Sequence, residues 1–216
     1  MKKTIIAVAV LASTIAMAGS SYAFSLGGMA SAVTGGGGGG ANLAGNQTQT
    51  VADYAAASLL VIAADSKMAQ ALGMDDQVAA LKASADGLKA GTSEDSLKKS
   101  DVAVSASTND IVAKLKSNPT LDAASKETFG TGLAALATGA LMYAKVGKDL
   151  ADSSSAMSSA SPMDLLKLTE LVYIAKSAPV NAKNFFDALS AGVTFAKGQN
   201  IPVPGNAADA TAALKF

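Results

Sequence analysis

The sequence predicts an all-α fold, a helical bundle of about five to six helices following a flexible Gly-rich N-terminal arm. Three observations carry that expectation. Apolar residues recur at helical spacing along most of the chain, whereas period-2 alternation is rare. Half of the 216 residues are hydrophobic but only 5% are aromatic, so alanine supplies much of the apolar character. Alanine has the best helix propensity and loses no side-chain entropy on folding. It also buries little area, so stability must come from helices approaching one another closely.

Residues 1–23 have the layout of a secretory signal peptide. Lys2 and Lys3 form a positive start, Thr4 to Ala18 is uncharged and mostly apolar, and Ser21-Tyr22-Ala23 places small residues where a signal peptidase reads. Cleavage is expected between Ala23 and Phe24, and the mature chain is expected in the periplasm or outside the cell. No later segment has the length and apolarity of a membrane span: Tyr54 to Ala64 is bracketed by Asp53 and Asp65, and Gly132 to Ala144 by Glu127 and Lys145.

Residues 24–50 read as the flexible arm. Six consecutive glycines, Gly35 to Gly40, give it little reason to order. The G-x-G-x-x-G pattern inside that run follows from polyglycine itself, with no strand before it, and does not mark a nucleotide site.

The bundle is expected over residues 51–200. The first helix runs from Val51 to Leu72, with Val51, Tyr54, Ser58, Leu59, Ile62 and Met68 in register, and stops at Gly73. The second covers Asp75 to Lys89, its first turn holding the two acids that the helix dipole favours. The third follows Thr92-Ser93, with Leu97, Val104, Ile111 and Leu115 as its buried stripe and a weak middle over Ser105 to Asn109. Asn118-Pro119-Thr120 punctuates the chain. The fourth, Leu121 to Asp152, is the longest, and its N-terminal third can be separate. Four glycines interrupt it, each costing about 1 kcal/mol relative to alanine. Small residues such as Ala135 and Gly139 suit a close helix crossing.

Ser153 to Ser161 reads as a loop. Ser161-Pro162-Met163-Asp164 then resembles a capped helix start, opening a fifth helix that runs to Lys176. Pro179 divides it from a sixth over Val180 to Lys197, the most aromatic of the set. Residues 201–216 form a C-terminal extension with an extended Ile201-to-Gly205 connector and a short helix from Asp209.

The chemistry is read mainly by subtraction. The chain has no cysteine and no histidine, which removes thiol catalysis, iron–sulfur clusters and any Ser-His-Asp triad. All 17 basic residues are lysine, balanced by 17 acids, so no basic surface or arginine fork serves a nucleic acid. Ser96-Leu97-Lys98-Lys99 matches the S-x-x-K nucleophile motif, but its companion motifs are missing. Asp149 and Asp152 lie three apart on a helix, without the ligand spacing of a calcium loop. Lys145 follows an apolar run and is expected at a helix-end surface.

These readings lead to an exported, non-enzymatic protein acting through an unknown protein partner or as a structural component, with no cofactor, metal or catalytic residue assigned. The alternative is a carrier or sensor of an apolar small molecule such as a lipid or fatty acid. Met142, Tyr143, Tyr173, Phe185, Phe186 and Phe195 are the residues expected to line its pocket, against the simpler reading of ordinary core packing.

Overall fold

The computed structural model describes residues 40–159, 161, 163 and 168–215. The signal peptide, its cleavage point at Ala23–Phe24 and the arm as far as residue 39 lie outside the described residues, as do Pro162 and Asp164 of the expected Ser161-to-Asp164 helix start. Six helices are described: α1 (Gly40–Ala71), α2 (Asp75–Ala90), α3 (Glu94–Lys116), α4 (Ala123–Ser158), α5 (Thr169–Gly198) and α6 (Ala207–Ala213). No strand occurs among the described residues.

The boundaries have local causes. Gly73 stands at φ +69° after α1, a backbone region that glycine enters without a Cβ penalty. Asn118 (φ 47°) and Asn200 (φ 56°) stand in the same region beyond α3 and α5, where asparagine is tolerated better than most residues that carry a Cβ. The Ser93 hydroxyl accepts from the Ser96 N–H at 3.3 Å and caps α3. Asp122 accepts from the Ser125 N–H at 2.8 Å ahead of α4, which holds its carboxyl below the usual carboxylate range.

Contacts set the helix directions. Val61 meets Gly139 and Ala64 meets Gly132, so α1 and α4 run antiparallel. Tyr143 lies against Phe185, and Phe129 against Phe195, so α4 and α5 are also antiparallel. Side-chain hydrogen bonds pair Tyr54 with Asp101 and Asp65 with Thr108, making α1 and α3 parallel. Helix α1 packs against α2, α3, α4 and α5 and is the hub of the bundle.

The α1–α4 crossing rests on glycine. A Cβ on Gly132 would lie 2.9 Å from the Ala64 carbonyl oxygen, and one on Gly139 would lie 3.0 Å from Val61 Cγ2. Gly139 is thus a close-approach position, as expected. The propensity cost of these glycines is offset by backbone-to-backbone packing along two long helices.

Four expectations change. Helix α1 begins at Gly40 and not at Val51, so Gly40 to Thr50, assigned to the flexible arm, is helical. Thr50 is already buried there, and Gln47 Nε2 donates to Glu170 of α5 at 3.4 Å. Helix α3 passes unbroken through Ser105–Asn109, because its polar side chains find partners on other helices: Ser105 accepts from Asn184 at 3.0 Å, and Thr108 donates to Asp65 at 2.7 Å. Helix α4 is continuous and extends through the serine-rich stretch to Ser158, where Ser153 and Ser154 hydroxyls bond back to carbonyls of their own helix.

The fourth change is at Pro179, which lies inside α5 instead of separating two helices. Proline in a helix interior costs about 3 kcal/mol through a lost N–H bond and a ring clash. The apolar stripe runs straight across it, with Leu171, Ile174, Ala178, Ala182, Phe185 and Leu189 all buried. Burial of that stripe on both sides of the proline offsets the local cost.

Residues 201–215 pack on the bundle. Ile201, Ala207, Ala210 and Leu214 belong to the same buried core, with α6 lying against α4 and α5.

Candidate functional site

The most chemically loaded place in the described structure is a polar cluster inside the bundle, centred on Asp101 of α3. Asp101 follows Leu97 by one helical turn, so it falls on the edge of the buried stripe. Tyr54 of α1 donates to its Oδ2 at 2.5 Å, and Tyr173 of α5 donates to the same oxygen at 2.7 Å. Asn181 Nδ2 donates to the Tyr54 hydroxyl at 2.9 Å, and Ser177 Oγ lies 3.4 Å from it. One carboxylate oxygen therefore ties three helices together through two phenols.

Burial governs the electrostatics. It raises the Asp101 carboxyl above its usual range, and the hydrogen bonds from Tyr54 and Tyr173 oppose that shift. Burial also raises the Tyr54 phenol, reinforced by the neighbouring Tyr143 and Asp101, so that it stays neutral and serves as a donor. Tyr173 is raised in the same way, by burial and then by its bond to Asp101. Tyr143 of α4 tilts against Tyr54 with ring centroids 5.4 Å apart. Its hydroxyl is buried without a hydrogen-bond partner.

A second carboxylate lies further along the α1–α3 interface. Asp65 has no exposed surface, and its Oδ2 accepts from Thr108 at 2.7 Å. Its Oδ1 has no partner. Burial pushes this carboxyl up to about 7, against the smaller opposing effect of the Thr108 bond.

The six residues expected to line an apolar pocket do not converge. Tyr143 and Phe185 pack edge to face at 4.9 Å, while Phe195 pairs with Phe129 at 5.1 Å in a separate contact. These three are core residues, and Met142, Tyr173 and Phe186 are partly buried against the core. Phe186 turns toward α6, where Lys215 Nζ sits 5.7 Å from its ring centre. Open grooves exist beside α6. One, of about 450 Å³, is lined by Val193 and Lys197 of α5, by Val203 and Pro204, and by Ala208 and Lys215 among others.

The other residues singled out for chemistry have structural partners. Lys145 is exposed and bonds Asp53 at 2.6 Å and Asp149 at 3.2 Å, which raises its ammonium. Ser96 lies 3.0 Å from Ser93 in the α3 cap, and Lys99 pairs with Asp95 at 3.0 Å. Among the described residues, no group of three or more acids is placed to hold a metal ion. No helix there is long and apolar enough to cross a membrane.

Asp65, Asp101, Thr108 and Asn181 were not among the candidates read from the sequence. The signal was present for the two acids. Asp65 sits between Ile62 and Met68 on the apolar stripe of α1, and Asp101 follows Leu97 on that of α3. An acid at a core-facing position of a helix is the pattern that finds both.

The cluster makes a stability prediction. Tyr54→Phe keeps the ring but leaves Asn181 without its acceptor and Asp101 with one donor fewer. A loss of about 1–3 kcal/mol is expected in urea unfolding followed by helical circular dichroism. Tyr173→Phe, at a partly exposed site, should cost less. Equal effects of the two substitutions would remove Tyr54 as the hub.

No family model matches the chain, and no curated protein or solved structure matches it.

Proposed function

We propose that this chain is an exported, non-enzymatic protein of the cell envelope or extracellular space that acts by contact with a protein partner or as a structural component. The carrying observation is where the bundle places its large side chains. Tyr54, Tyr143 and Phe185 pack ring against ring through the core, tilted and edge to face, and Phe129 and Phe195 form a separate edge-to-face pair. Core aromatics thus pack against one another instead of framing a shared chamber for a ligand. The export half of the reading rests on the leader pattern at residues 1–23.

One observation favours the alternative of an apolar-molecule carrier. The groove beside α6 exceeds the roughly 300 Å³ at which ligand pockets begin. It is open to solvent, and Lys197 and Lys215 stand at its lining, which suits surface contact better than enclosure of an apolar molecule.

The test is crosslinking in the cells that make the protein, followed by mass spectrometry of the product. The expected result is a chain beginning at Phe24 and joined to a defined protein. A retained leader overturns the export reading, and a monomer joined to nothing overturns the interaction reading. A stoichiometric lipid in the solvent extract of native protein replaces it with the carrier.

A further inference from the structure

A buried carboxylate, Asp65, and a partly buried one, Asp101, lie at the interface where α3 meets the hub helix α1. Neither forms an ion pair with a lysine among the described residues. They differ in how well they are satisfied. Asp101 receives two phenol donors, and the titratable groups facing it are Tyr54 of α1, Tyr143 of α4 and Tyr173 of α5. Asp65 has Thr108 alone, no exposed surface and an unpartnered Oδ1. Lys67 and Asp110, the charged residues that border the contact along α1 and α3, exert no resolved influence on Asp65. No acid or lysine of α2, α4 or α5 does either.

An ionised carboxylate in such a place is costly, because neither a counter-charge nor a full set of donors replaces the lost water. A protonated one is far cheaper. We infer that the Asp65 carboxyl, buried where α3 meets α1, is a protonation-dependent latch, which seats α3 firmly on α1 in mildly acid solution and loosens it as the solution turns neutral. Helix α3 buries Ser100, Ser107 and Thr108 among its apolar residues, and Thr108 meets α1. Helix α1 packs less extensively on α3 than on α4, so α3 is the element that yields first.

The sign follows from linkage. Asp65 binds its proton more tightly in the folded chain, at about 7, than the unfolded value of 3.8. The folded state therefore holds an extra proton between those limits. The stabilising contribution is fully present below the unfolded value and is lost as pH rises through the folded one. Nothing in this depends on the proposed interaction role.

Hydrogen exchange of the full chain, read by mass spectrometry from pH 5 to 8 and corrected for intrinsic rates, tests the latch. Opening of α3 should increase by up to about tenfold per pH unit as far as pH 7 and level off above it. Asp65→Asn should flatten the profile. Thr108→Val removes the donor that favours the charged form and should move the levelling-off point to higher pH. An unchanged slope in Asp65→Asn overturns the inference, as does opening of α4 in step with α3. If Asp65→Asn fails to fold, carbon-13 NMR of the carboxyl in the unmodified protein decides. A folded-state value near that of an ordinary aspartate overturns the latch, and one near neutrality supports it.

Discussion

Phe129→Ala is expected to cost about 3–5 kcal/mol of folding stability, the range for deleting a fully buried aromatic ring. Phe129 has no exposed surface and meets Phe195 edge to face at 5.1 Å. Its ring tip lies near Gly192 of α5, with the Leu133 side chain beside it. How far Leu133 relaxes into the void sets where in that range the loss falls. Domains of this size are stable by only about 5–15 kcal/mol, so the variant should approach the edge of folding at physiological temperature. Urea unfolding followed by circular dichroism measures it. A loss below about 1 kcal/mol would mean that the Phe129–Phe195 layer is not packed as described.

Gly132→Leu should cost about 3 kcal/mol or more, because both surfaces it would displace resist movement. Even a Cβ at this position lies 2.9 Å from the Ala64 carbonyl oxygen and 3.1 Å from Lys67 Cβ, the first of which is backbone. The remaining leucine atoms have to force α1 and α4 apart along their longest shared contact. Gly87 in α2 provides the control, since a Cβ there meets nothing within 4 Å. Gly87→Ala should stabilise the protein by about 0.5–1 kcal/mol through helix propensity and a less disordered unfolded chain. Opposite signs at two helical glycines isolate packing as the cause. If both substitutions stabilise, the close α1–α4 crossing is absent.

The Asp65 latch gives these measurements a condition. Stability comparisons made near pH 5 include the protonated carboxyl, whereas those above pH 7 include its ionisation. Variants at the α1–α3 interface should therefore be ranked at a single pH. Phe129 and Gly132, at the α4 contacts, should show the same pH trend as the unmodified chain.

Local chemistry determined the helical class and several of its boundaries. Gly73, Ser93 and Asn118 act through their own backbone preferences or a hydroxyl within reach, so they punctuate the chain whatever surrounds them. Only tertiary packing decided the rest. Pro179 and Ser153 read as interruptions because their local preferences oppose a helix, yet both lie inside one. At Pro179 the winning term is the apolar stripe buried on either side. The aromatic residues that looked like one pocket were divided by which helix each faced, and spacing along a single chain does not specify that. Burial of Asp65 and Asp101 likewise depends on α3 lying beside α1. Helical periodicity marks which face of a helix turns inward, but the partner, and hence the charge and hydrogen bonds it brings, is set only when the helices assemble.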